Sequence, residues 1–61
     1  MPNIHVEMLS GRTQQQKSEL ARALTQEASR ILECPEDFVQ VIITEIERSN
    51  WSTGGILESN R

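Results

Sequence analysis

The chain has little of what usually staples a small protein together: one cysteine and one histidine among 61 residues. A lone cysteine excludes an internal disulfide, and one cysteine with one histidine is too few for a structural zinc site within a single chain. There is no basic block either. Six Lys and Arg stand against nine Asp and Glu, a net charge of −3, which argues against nucleic acid as a main partner. No apolar run approaches the roughly 20 residues of a membrane span, and no basic-then-apolar leader opens the sequence. A single free thiol fits a reducing compartment. The expected setting is cytoplasmic, with no membrane partner and no metal.

Length is also in short supply. The 61 residues suffice for one helix and two or three strands, a single domain over 1–61. Such a domain buries only about 60% of the surface its unfolded chain exposes. Small scaffolds make up the deficit with disulfides, a metal or partner subunits. The composition leaves partner subunits, so obligate self-association is expected.

The periodicities that are present are clear. From Pro2 to Leu9 the chain alternates: Ile4, Val6 and Met8 point one way, Asn3, His5 and Glu7 the other. Period two with β-branched residues predicts a strand, which Ser10-Gly11 ends. Thr13-Gln14-Gln15-Gln16 fits a capping box, in which hydroxyl and amide side chains each satisfy the other residue's backbone N–H. Leu20, Leu24, Ala28, Ile31 and Leu32 then recur at helical spacing, with Ala21 beside them and Lys17, Glu19, Arg22, Gln26, Arg30 and Glu33 opposite. That pattern predicts an amphipathic helix over 13–33, closed by Pro35, which disfavours helical geometry at Cys34. A tight turn follows over 35–38.

Residues 39–46, VQVIITEI, are β-branched and apolar on nearly both faces, the mark of a strand inside a covered parallel sheet. A polar loop over 47–50 leads to a short hairpin over 51–57 around Gly54-Gly55, and the tail is polar and expected to be disordered. Strand, helix and strand with short links make a right-handed βαβ unit. The predicted fold class is α+β: one βαβ unit with a C-terminal hairpin, its sheet edges completed by other copies.

Several of these pieces together resemble the small tautomerases related to 4-oxalocrotonate tautomerase. The opening Met-Pro, the segment Leu9-Ser10-Gly11-Arg12-Thr13 with Gln16-Lys17, the run Val41-Ile42-Ile43-Thr44-Glu45 and the aromatic-then-Gly-Gly segment from Trp51 to Gly55 carry the resemblance, which spans nearly the whole chain. It implies a βαβ monomer with a terminal hairpin, dimers with a four-stranded sheet, and a homohexamer built as a trimer of dimers. It also implies a cofactor-independent isomerase acting on a small carboxylate, of the kind that serves aromatic compound catabolism.

The resemblance makes Pro2 the catalytic base once Met1 is removed. The chemistry is sound. A free α-amino group titrates near 7.7–8.0, a secondary amine is somewhat more basic, and an apolar niche beside a cation disfavours its charged form. A base that is neutral near working pH is the most effective, and the rigid ring aims its lone pair. While Met1 remains, the Pro2 nitrogen is an amide without useful basicity; a small second residue favours removal of the initiator.

By the same resemblance Arg12 binds a substrate carboxylate. A guanidinium forms bidentate, charge-assisted bonds to such a group, and the positive end of the helix adds to the pull. Trp51 lines the pocket and excludes water, and the Leu9 backbone runs along the substrate. Gln40 departs from the family pattern, where a second arginine from a neighbouring subunit binds the other carboxylate of a diacid. Gln40 can donate a hydrogen bond but no charge, so the preferred substrate has one carboxylate or a different carbonyl. His5 and Cys34 are expected to be packing or surface residues, Glu7 and Glu45 to be unpaired carboxylates, and the helix charges to form a solvated face.

The leading expectation is a keto–enol tautomerase of a 2-hydroxydienoate or related 2-oxo acid. The alternatives are a dehalogenase or hydratase of the same superfamily, for which no water-activating partner is visible, and a non-catalytic assembly subunit that retains Met1.

Overall fold

Residues Met1 to Arg61 are all described by the structure, a computed structural model. Strand β1, Asn3–Leu9, is followed by helix α1, Gln14–Leu32, and strand β2, Gln40–Ile46. β1 and β2 pair in parallel, in register from Asn3 opposite Gln40 to Leu9 opposite Ile46. The alternation is as expected. Ile4, Val6 and Met8 of β1, with Val41 and Ile43 of β2, are half-buried, while Asn3, His5, Glu7, Gln40, Ile42 and Thr44 are exposed on the other face.

α1 starts one residue later than the pattern predicts, because Thr13 is its cap rather than its first turn. The Gln16 N–H donates to Thr13 Oγ1 and the Thr13 N–H donates to Gln16 Oε1, each at 3.0 Å. Both bonds of a capping box are therefore present. The helix ends at Glu33, which is left-handed (φ 54°, ψ 49°) and is the one non-glycine residue with positive φ. The N–H groups of Glu33 and Cys34 both donate to the Ser29 carbonyl, and Ser29 Oγ donates to the Cys34 carbonyl. This closes the helix before Pro35 forbids further turns.

β3, Ser52–Thr53, and β4, Ile56–Leu57, form the expected hairpin. Gly54 (φ 62°) and Gly55 (φ 83°) are its two loop residues. A two-residue loop with positive φ at both positions matches the right-handed twist of its flanking strands, and glycine adopts it without a Cβ penalty. The segments expected as a plain loop and a disordered tail are instead short 3-10 turns, Arg48–Asn50 and Glu58–Asn60. The tail is tied down locally: the Glu58 N–H donates to the Trp51 carbonyl at 2.7 Å, Arg61 Nη2 donates to the Thr53 carbonyl at 3.0 Å, and Arg61 Nε lies 3.3 Å from Glu58 Oε1.

Packing leaves the single chain without a closed core. None of its 61 residues is fully buried. The molecule is a slab of 43 × 23 × 13 Å with a radius of gyration of 14.5 Å, against about 10.5 Å for a compact chain of this length. One helix covers one face of two strands, and the other face is bare. Leu20, Ala21, Leu24 and Ala28 are half-buried against the sheet. Ile31 and Leu32, which the helical spacing also assigns to the packed face, are 61% and 57% exposed, because β2 begins only at Gln40 and no strand lies beneath the last turn. Phe38, Ile42 and Ile56 are about half exposed as well.

Two charges also depart from expectation. Lys17 is not on the solvated face. It reaches over the sheet to Glu45, and its side chain is only 18% exposed. Glu45 is therefore paired, its position at the covered end of β2 placing it under the first turn of α1. No helix is long and apolar enough to cross a membrane.

Candidate active site

The candidate residues fall at the two ends of the parallel sheet. Pro2 sits immediately before β1, and its carbonyl accepts the Gln40 N–H at 3.0 Å. Pro2 and Gln40 are thus neighbours at the start of both strands. Met1 projects beyond them, 82% exposed, so its removal disturbs no packing. With Met1 gone the Pro2 nitrogen is a secondary amine already held in place through its own carbonyl.

Leu9, Arg12 and Trp51 lie at the other end. The Ser10 N–H donates to the Ile46 carbonyl at 3.0 Å, the last bond between the two strands. Gly11 then turns the chain at φ 126°, with nothing within 4 Å of where a Cβ would stand, and this reversal carries Arg12 to the mouth of the helix. Arg12 borders two adjoining hollows. One, of about 240 Å³, is lined by Met8, Gln16, Lys17 and Leu20; the other is lined by Leu9, Ser10, Gly11 and Arg48. Trp51 is half-buried beside Glu7, Ile46 and Ser52. Its indole N–H has no partner within the chain, and no buried polar side-chain atom is left unsatisfied anywhere.

The six rises of about 3.3 Å from Asn3 to Leu9 put the two ends of β1 about 20 Å apart. One chain therefore brings Leu9 and Arg12 together, sets Trp51 at the same end of the sheet in a separate hollow, and joins Pro2 to Gln40 at the other end, but does not bring Pro2 to Arg12. Arg48 was not singled out by sequence reasoning. It sits in a polar stretch without periodicity, and only the turn after β2 returns it toward Arg12. His5 is on the bare face, its Nε2 2.7 Å from Thr44 Oγ1. No group of three or more His, Cys, Asp or Glu is placed to hold a metal ion.

These features define a small α+β subunit with a potential amine base at one end of its sheet and guanidinium groups at the other. The chain belongs to the tautomerase family: the model described as tautomerase enzyme matches residues 2–59. A probable tautomerase of Ralstonia nicotianae is 39% identical over 59 residues, covering 97% of this chain and 84% of its own length. A crystal structure of a 4-oxalocrotonate tautomerase homologue superposes with a TM-score of 0.95 at 43% identity, covering 100% of this chain and 97% of that one. The heterohexamer 4-oxalocrotonate tautomerase of Chloroflexus aurantiacus superposes with a TM-score of 0.92 at 39% identity, over 97% and 95% of the two chains.

Proposed function

We propose that the protein is a cofactor-independent keto–enol tautomerase of 2-hydroxydienoates or related 2-oxo acids. In this reading it works as a homo-oligomer, a hexamer of three dimers, in which Pro2 of one copy meets Arg12 of another. The observation that carries the proposal is the separation of the two half-sites along β1. Each is complete in itself and useless without the other, on a chain with no buried core. The same association that covers Ile31, Leu32, Ile42 and Ile56 would close the site. Membership of the tautomerase family supports the reaction class.

The chemistry then follows from the groups. Arg12 holds the substrate carboxylate through two parallel N–H donors. The lone pair of the processed Pro2 nitrogen accepts the enol O–H proton. The O–H electron pair becomes the C=O π bond, the former C=C pair moves along the diene to carbon, and the prolinium N–H delivers its proton there. The base is regenerated and no other reactant is consumed. Trp51 and Leu9 exclude water, which strengthens each charge contact. Gln40 offers the growing carbonyl or the substrate's far end a neutral hydrogen bond.

The test uses processed protein, confirmed by an intact mass lower by one methionine, with phenylenolpyruvate and 2-hydroxymuconate as substrates. Replacing Pro2→Ala removes the secondary amine and is expected to lower kcat by at least about 100-fold, the range of general acid–base catalysis. Turnover in Pro2→Ala equal to that of the parent refutes the role given to Pro2.

A further inference from the structure

The second hollow bordered by Arg12 holds another guanidinium. Arg48, the first residue of the 3-10 turn after β2, lines it together with Leu9, Ser10, Gly11 and Arg12, and no acidic residue does. The wider charge pattern makes this unusual. Lys17, Arg30 and Arg61 are each paired with a glutamate: Glu45, Glu27 and Glu58 respectively. The other three bases, Arg12, Arg22 and Arg48, make no ion pair and no side-chain hydrogen bond, although acids outnumber bases nine to six, and of these only Arg12 and Arg48 share a hollow. Two like charges on one hollow repel each other, and the arrangement becomes favourable only when an anion sits between them. A carboxylate carries about four lone-pair acceptor sites, enough for two N–H bonds from each of two guanidinium forks.

We propose that Arg12 and Arg48 together grip a single carboxylate of the substrate, and that Arg48 is a specificity-determining residue. Both cations lie at one end of the sheet, while Gln40, at the other end beside Pro2, is neutral. A molecule entering between the two half-sites meets a strongly cationic grip on one side and an uncharged donor on the other. The substrate class that fits is a monocarboxylate 2-oxo acid or its enol, with an uncharged far end. This rests on the tautomerase reading for the reaction, but the carboxylate grip is measurable without turnover.

The experiment measures equilibrium binding of cinnamate, a planar unreactive monocarboxylate, and of its uncharged amide, by calorimetry on the processed assembled protein. Arg48→Ala and Arg48→Gln are expected to weaken cinnamate binding by about 10-fold or more, the worth of a charge-assisted bond, and to leave binding of the amide within a factor of about two. Arg48→Gln keeps most of the aliphatic stem and is the decisive variant if Arg48→Ala does not assemble. In turnover of phenylenolpyruvate the loss falls on KM rather than kcat. Unchanged cinnamate affinity, or equal loss for acid and amide, overturns the proposal. Pro2→Ala separates the two readings: it should bind cinnamate normally while losing turnover, so failure of the base assignment leaves the anion grip standing, and the reverse.

Discussion

Gln40 offers the sharpest test of how the two half-sites divide a substrate. It lies opposite Asn3 in the sheet register and is exposed, and its backbone N–H is already committed to the Pro2 carbonyl at 3.0 Å. A longer side chain at this position meets open space and disturbs no backbone bond. Gln40→Arg therefore adds one guanidinium beside the proposed base with little effect on folding. A charge-assisted hydrogen bond contributes about 1.5–3 kcal/mol. If that bond acts in the transition state of a diacid, kcat/KM for 2-hydroxymuconate should rise about 10- to 150-fold. Phenylenolpyruvate has no second carboxylate and should gain less than about threefold. Gln40→Lys carries the same charge without the planar fork and should recover only part of the gain. The assay is initial-rate turnover of both substrates by processed protein. No preferential gain on the diacid would refute the placement of position 40 beside the far end of the substrate.

Other perturbations probe the scaffold. Thr13→Ala removes the hydroxyl half of the capping box at the start of α1 and should cost about 1 kcal/mol per chain, read from thermal unfolding at fixed protein concentration, since association shifts the midpoint; an unchanged midpoint argues that the cap is idle. Glu33→Gly relieves a left-handed residue that costs about 1–2 kcal/mol and loses part of that to a looser unfolded chain. A net gain of about 0.5–1 kcal/mol is expected in the same melt, and a lower midpoint contradicts it. Ile42→Asp places a charge on the bare sheet face, where burying it without a partner costs several kcal/mol. The variant should sediment as smaller species with reduced turnover, and an unaltered assembly mass would mean that this face is not an interface.

Much of the fold was legible along the chain because its signals are local. Alternation in β1, the Thr13/Gln16 cap, the helical spacing of Leu20, Leu24 and Ala28, Pro35 and the Gly54-Gly55 loop each act within a few residues. The misreadings share a different cause. Ile31 and Leu32 obey the helical period, yet whether an apolar side chain is covered depends on what lies beneath it, and β2 begins too late to lie beneath them. Lys17 looked like a solvated charge because Glu45, its partner, is 28 residues away. The polar tail lacks any periodicity, and its order comes from bonds to Trp51 and Thr53 in the preceding hairpin segment.

The candidate site divides in the same way. The resemblance to the small tautomerases named Pro2, Arg12, Gln40 and Trp51, and the chemistry of amine, guanidinium, amide and indole then said what each could do. Their grouping belongs to tertiary structure. A parallel pair of strands sends the start of β1 and the start of β2 to one end and both finishes to the other, which joins Pro2 to Gln40 and Arg12 to Arg48 while holding the pairs apart. Distances across a sheet depend on register and crossover, and neither is written in the spacing of residues along the chain.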